Sequence, residues 1–226
     1  MINTFKIHPR IQETLFLGFV TLICFGLSVF RYSYTGSKVF LFLNWNLFLA
    51  CVPWLLTSFV AITPKIGKSK IILAILFFVW LVFFPNAPYI LTDLFHLRLK
   101  TSMPVWFDLF LILCFAWAGL LFGFLSLWDI EQLLKNQTKN KVSSFWITAT
   151  TIFFLFLSGF GIYIGRYLRW NTWDIINQPS ALFNDITLRF TNLTEYPRMV
   201  GMTILMGIFL NILYFSFRFI RERKNF

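Results

Sequence analysis

Charge is what this chain has least of. Lysine, arginine, aspartate and glutamate together make up 13% of its 226 residues, and only nine of them are acidic. An ordinary soluble domain is roughly one quarter charged, so a chain this poor in charge cannot cover a surface that faces water. Histidine is scarcer still, with two residues, and there are three cysteines. Cys24, Cys51 and Cys114 each lie inside an apolar run without metal-ligand spacing, which excludes a zinc-finger pattern and a disulfide framework. No long stretch alternates apolar with polar residues, which excludes a transmembrane β-barrel. No internal repeat is visible, which argues against the repeated halves on which many transporters are built.

What is present is grease and aromatic mass. The chain is 58% hydrophobic, with 31 phenylalanines and 9 tryptophans. About 20 apolar residues in a helix cross a bilayer core. Six runs are long enough: Leu15–Tyr34, Val39–Ile62, Ile71–Leu91, Val105–Trp128, Phe145–Tyr167 and Met199–Phe219. The expected fold is therefore all-α, a polytopic bundle of about six transmembrane helices forming one domain over residues 1–226. The first run follows Lys6 and Arg10 without a small-residue cleavage site, so it reads as a retained span and not a signal peptide.

The net charge of +11 would suggest nucleic acid in a soluble protein. Here the basic residues sit between apolar runs, which points instead to topology and to anionic lipid headgroups. With both termini in the cytoplasm, 12 of the 20 lysines and arginines fall on the cytoplasmic side. The basic segments 63–70 and 129–144 are then inside. Segment 169–196 is the longest external connection, too apolar for a free linker and expected to lie on the membrane surface or cap the bundle.

Polar residues collect at the outer end. Pro85 and Pro88 interrupt the third run, and each removes an N–H from a helical ladder. The residues before them, Phe84 and Ala87, are expected to be extended, so the helix should kink or unwind there. Asn86 and Tyr89 lie in this break. Asp93 and His96 follow three residues apart, on one face of a resumed helix, and Asp108 stands in the first turns of the fourth run. These three could ligate zinc or manganese, or Asp108 could simply complement the helix dipole. In the fifth run Tyr163, Arg166, Trp170 and Asp174 form one stripe if the helix continues that far. Arg166 is expected to pair with Asp93 or Asp108, or to bind an anion together with Arg169. Asn44, near the start of the second run, should hydrogen-bond across helices or line the same pocket; Asn171 lies beside the stripe. The inner halves of the runs carry mostly small polar groups, among them Ser126, Thr148, Thr150, Thr151 and Asn211.

The segments Asn44-Trp45-Asn46, Pro85-Asn86-Ala87-Pro88-Tyr89-Ile90-Leu91-Thr92-Asp93-Leu94-Phe95-His96, Trp106-Phe107-Asp108 and Gly161-Ile162-Tyr163-Ile164-Gly165-Arg166-Tyr167-Leu168-Arg169-Trp170-Asn171-Thr172-Trp173-Asp174 resemble those of the bacterial membrane family catalogued as domain of unknown function 1361. The resemblance runs from the second span to the fifth. It implies a multi-pass protein of the bacterial cytoplasmic membrane and assigns no activity.

Three functions compete. One is an outward-facing polar pocket for an anionic lipid, a lipid-linked precursor or a small solute, in a transport or accessory role. The second is a membrane-embedded hydrolase or transferase with a divalent metal on Asp93, His96 and Asp108, and Asp174 as a base. The third is a structural or assembly protein in which the polar cluster only locks the bundle.

Overall fold

The computed structural model describes residues 4–63, 69–98, 103–137 and 142–223. These residues are almost entirely helical, with no strand among them. Helices α1 (Thr4–Thr35) and α2 (Phe42–Ile62) come first, then α3 (Lys70–Phe83), the single turn α4 (Asn86–Tyr89) and a 3₁₀ helix over Ile90–Arg98. Helix α5 (Val105–Gln137) is followed by α6 (Ser144–Tyr163), a π-helical turn over Ile164–Leu168, the short α7 (Asp174–Asn177), α8 (Pro179–Thr191) and α9 (Pro197–Arg223). Six helical stretches are long and apolar enough to cross a membrane: Arg10–Thr35, Phe42–Ile62, Lys70–Leu97, Val105–Gln137, Ser144–Leu168 and Pro197–Arg223. The six runs read from the sequence are all there.

The fourth is longer than expected. Residues Asp129–Gln137, read as part of a loop, continue α5 instead, because Ile130 and Glu131 are buried and need partners that only an ordered backbone gives them. Residues 138–141 of that basic segment lie outside the described residues, as do Lys65 and Lys68.

The chain divides into two compact units, Met1–Ser126 and Leu127–Phe226. In the first, Leu43, Leu47 and Ala50 of α2 are buried, as are Trp80, Phe84, Ala87 and Ile90 of the third span and Leu111, Ile112 and Phe115 of α5. Trp80 stacks on Phe84 and donates its indole N–H to the Ser126 hydroxyl at 3.1 Å. The outward faces of α1 and α3 leave Leu15, Phe19, Leu22, Ile71, Ile75 and Phe78 exposed, the pattern of helices solvated by lipid rather than water.

The proline-rich break behaves differently from the extended geometry expected of it. Phe84 is right-handed helical (φ −54°, ψ −40°), and Ala87 lies inside α4. The chain stays helical by tightening. The Phe84 carbonyl, which Pro88 cannot serve, accepts from the Ala87 N–H at 3.1 Å, and the path then continues as a 3₁₀ helix. Burial of Phe84 and Ala87 outweighs the pre-proline preference.

That tight turn is seated on two glycines of α5. A Cβ at Gly119 would lie 2.7 Å from the Ala87 carbonyl oxygen, and one at Gly123 would lie 2.9 Å from the Ala87 Cβ. In the second unit α6 and α9 pack along each other, and a Cβ at Gly207 would strike the ring of Phe156. The residues Phe160, Tyr163 and Met199 form a cluster onto which Ile186 of α8 and Tyr196 fold, so the segment after α6 is built onto this unit.

Gly119→Ala should lower the melting temperature in mild detergent, at a cost of about 1–3 kcal/mol from overpacking. Gly201→Ala, where a Cβ meets nothing within 4 Å, should be neutral or stabilising by roughly 0.5–1 kcal/mol through helix propensity. Equal effects of the two would contradict the seating of α4 on α5.

Candidate functional site

One end of the first unit gathers side chains from four elements. The C-terminal part of α1 brings Arg31, the start of α2 brings Asn44 and Asn46, the broken third span brings Asn86, Tyr89, Asp93 and His96, and the first turn of α5 brings Asp108. Arg31 donates from Nε to Asp108 Oδ1 at 2.6 Å and from a terminal nitrogen to Oδ2 at 3.3 Å. The guanidinium is 2% exposed and lies over the Phe40 ring at 4.4 Å. This is the two-pronged geometry for which arginine is suited, and Asp108 also meets the positive end of α5. Arg166 was expected beside Asp93 or Asp108; within the first unit the arginine on Asp108 is Arg31, which the sequence reading did not foresee.

Asp93 is 1% exposed and accepts at Oδ2 from the Asn46 amide at 2.9 Å. His96 stands beside it with a third of its side chain exposed. Its Nδ1 lies 3.3 Å from the Asp93 carbonyl oxygen and 3.8 Å from Oδ1. A carbonyl can only accept, so this contact is a hydrogen bond in the tautomer that carries its proton on Nδ1. Nε2, across the ring, then accepts in the neutral imidazole and donates in the cation. The Phe42 ring flanks the imidazole at 5.0 Å.

Asn44 does bond across helices, donating to Ser28 of α1 at 2.8 Å. Asn86 donates back to the Phe83 carbonyl at 2.9 Å, near the half-buried Tyr89, whose own carbonyl accepts from Thr92 at 2.7 Å. Among the described residues, no three histidine, cysteine, aspartate or glutamate side chains are grouped to hold a metal. Asp93 and His96 are neighbours, while both oxygens of Asp108 are turned to Arg31.

Tyr163, Arg166, Arg169, Asn171 and Asp174 belong to the second unit, where they do not form one stripe. The helix ends at Tyr163 and widens into the π turn that contains Arg166, and Arg169 then adopts a left-handed conformation with φ 61°. This reversal turns the following residues off the helix. Asp174 accepts from the Asn171 backbone N–H at 2.7 Å, a local cap at the start of α7. Trp170 donates its indole N–H to Asp185 at 2.8 Å. Arg189 bridges the same carboxylate at 3.2 Å and the Tyr196 ring at 5.1 Å. Burial opposes the charge on Arg189, but hydrogen bonds to Tyr163 and Asp185 hold its pKa above the ordinary arginine value. Arg166 is half-buried and Arg169 exposed.

A buried carboxylate stands at the other end of this unit and was missed from sequence. Glu131 is 1% exposed. Its Oε1 accepts from Thr151 at 2.7 Å and faces Arg218 at 3.5 Å, and its charge also acts on the Tyr214 hydroxyl. Arg218 donates its Nε to Glu222 at 2.9 Å and approaches Thr148 at 3.4 Å. Glu131 was hidden because residues 129–144 read as loop. Arg31 and Asn46 were also overlooked. The signal for Arg31 was there, since it is the only charge inside the first apolar run and such a charge needs a partner.

The helices and this polar end define a multi-pass, all-α membrane protein with buried charge at a helix-rich vertex. Residues 45–213 match the model of a family described as a protein of unknown function (DUF1361), and the chain belongs to that family. No curated protein and no solved structure matches it.

Removing one partner of the buried pair, by Arg31→Gln or Asp108→Asn, should cost about 3–5 kcal/mol because a polar group is stranded in the interior. Arg31→Met combined with Asp108→Leu should recover most of that loss. Unfolding in detergent, followed by circular dichroism, measures it; additive losses in the double variant would show that the two residues do not act as a pair.

Proposed function

We propose that the protein binds an anionic group, the headgroup of a lipid or lipid-linked precursor or a small anionic solute, at the polar end of its first unit. His96 is the contacting side chain. The observation that carries this reading is the division of labour between neighbours: Asp93 is buried at 1% exposure and fixed by Asn46, while His96 is 33% exposed and has its Nδ1 turned toward Asp93. A buried carboxylate behind a part-exposed imidazole orients the ring. The surrounding charge agrees. The connecting segments 31–46 and 93–108 hold four basic residues and two acidic ones, and one of those acids is neutralised by Arg31. Under the orientation favoured by the distribution of lysine and arginine, this end faces away from the cytoplasm.

With two histidines in the chain, imidazole NMR of protein in zwitterionic nanodiscs reads the site directly, and His96→Gln assigns the signal. Adding phosphatidylglycerol or glycerol phosphate should move the His96 resonance, and phosphatidylcholine should not. Asp93→Asn should weaken the response on the order of tenfold, equivalent to about 1.4 kcal/mol. An unmoved His96 resonance with every anion would overturn the proposal.

A second reading has its own support. Arg31 with Asp108, Asn46 with Asp93 and Asn44 with Ser28 satisfy one another, as a purely structural lock would. Under that reading His96→Gln leaves no binding defect to find.

A further inference from the structure

Helix α8, between the last two spans, carries more apolar surface than the packing of the second unit uses. It turns Ile186 onto the cluster of Phe160, Tyr163 and Met199, yet Phe183 and Phe190 remain 68% and 54% exposed. These two phenylalanines are seven residues apart, so they share one edge of the helix. Beside that edge lies a face formed by Ser180, Asn184, Thr187 and Thr191, all exposed and all uncharged. The only charged residues of α8 are Asp185 and Arg189. They pair with each other at 3.2 Å, Asp185 accepts from the Trp170 indole, and Arg189 lies over the Tyr196 ring. A helix whose charges are matched in this way can enter lipid at far lower cost than one with a bare charge.

Depth decides what the phenylalanine edge meets. The Phe190 ring stands 5.0 Å from the ring of Phe160. Phe160 precedes Leu168, the end of its span, by eight residues, roughly 12 Å at 1.5 Å per residue. Arg189 hydrogen-bonds to Tyr163, which also lies inside the span. The C-terminal turns of α8 thus run beside the last turns of the span and not above them. The span Ser144–Leu168 has 25 residues, so it is roughly 37 Å long and exceeds a hydrocarbon layer of about 30 Å by only about 7 Å. Even with all of that excess projecting at this end, Phe160 lies within the hydrocarbon.

We infer that α8 is immersed in the bilayer. Its Phe183–Phe190 edge docks into the acyl chains of the leaflet that meets the junction of the last two spans. Its hydroxyl and amide face lies level with the ester groups and headgroups, where an amphipathic helix rests in a membrane interface. The occupant of the edge is lipid and not a partner protein, because the edge stands at the depth of lipid and its charged neighbours are already paired. This surface belongs to the second unit and does not involve His96.

The test is spin-label electron paramagnetic resonance on the full chain in phosphatidylcholine nanodiscs. A nitroxide is attached through Phe183→Cys in a background of Cys24→Ala, Cys51→Ala and Cys114→Ala. Its collisions with oxygen, which concentrates in lipid, are compared with its collisions with a water-soluble nickel chelate. The oxygen-to-nickel ratio should be several-fold higher than at Arg223→Cys, in the last turn of α9, and should approach that at Leu205→Cys, on the exposed face of the same helix. Thr187→Cys should fall between the two. A ratio at position 183 equal to that at position 223 would overturn the immersion. Low access to both reagents would show that protein, such as a second copy of the chain, covers the edge, and would overturn the lipid assignment. Where the cysteine replacements impair folding, the wild-type chain in the same nanodiscs is photolabelled with a lipid-partitioned aryl diazirine and mapped by mass spectrometry. Labelling at Phe183 comparable to that at Leu205 is expected; labelling confined to the spans would overturn the proposal.

Discussion

The arrangement of the first unit depends on one buried ion pair. Arg31 and Asp108 meet at 2.6 Å, 77 residues apart in sequence, in a place that water scarcely reaches. Neither charge could be there alone, since the cost of bringing a single ion into a low-dielectric interior is several kcal/mol. The pair therefore fixes where α1 ends against α5, and with it the height at which α2 and the broken third span present Asn46, Asp93 and His96. The aromatic rings nearby follow from the same constraint. Phe40 lies against the guanidinium, Phe42 lies near Phe40, and His96 rests on Phe42, so the imidazole is connected by ring contacts to the charge that anchors the vertex.

The second unit solves the same problem less completely. Glu131 is as buried as Asp93, but its arginine stands 3.5 Å away and spends its closer hydrogen bond on Glu222. A hydroxyl, Thr151, does the near work. Both deeply buried carboxylates paired with arginine, Asp108 and Glu131, fall inside the residues that match the family, 45–213, while their arginines, at 31 and 218, fall outside it. The family's matched core thus contains acids whose counter-charges come from the flanking first and last helices.

The membrane architecture was legible because it rests on length and apolarity, which a sequence displays directly. Six runs gave six helices, and the proline break fell where Pro85 and Pro88 put it. The errors came where packing outweighs local preference. Phe84 and Ala87 stay helical because burial and the bare faces of Gly119 and Gly123 reward a tight turn. Asp129–Gln137 is helix because Glu131 has partners far along the chain. The polar vertex was half legible. Asn44, Asp93, His96 and Asp108 are brought to one end of the first unit, but Arg31 as a partner of Asp108 was not foreseen, since pairing across 77 residues leaves no local trace. The expected stripe through Tyr163, Arg166, Trp170 and Asp174 failed for a different reason. It assumed one helical period across a π turn and a left-handed arginine, both of which shift the register of everything that follows.

Helix α5 deserves to be measured against its surroundings. At 1.5 Å per residue its 33 residues reach about 50 Å, whereas the hydrocarbon layer of a bilayer is about 30 Å thick. Its uncharged stretch, Leu109–Trp128, accounts for about 30 Å of that length, so α5 matches the oily layer with no slack and extends well beyond it as a charged, still helical post. A thinner membrane can be accommodated only by tilting that helix or by drawing lipid up around it. Bilayer thickness is therefore itself a force on this protein, acting through the element to which two of its buried carboxylates, Asp108 and Glu131, are attached.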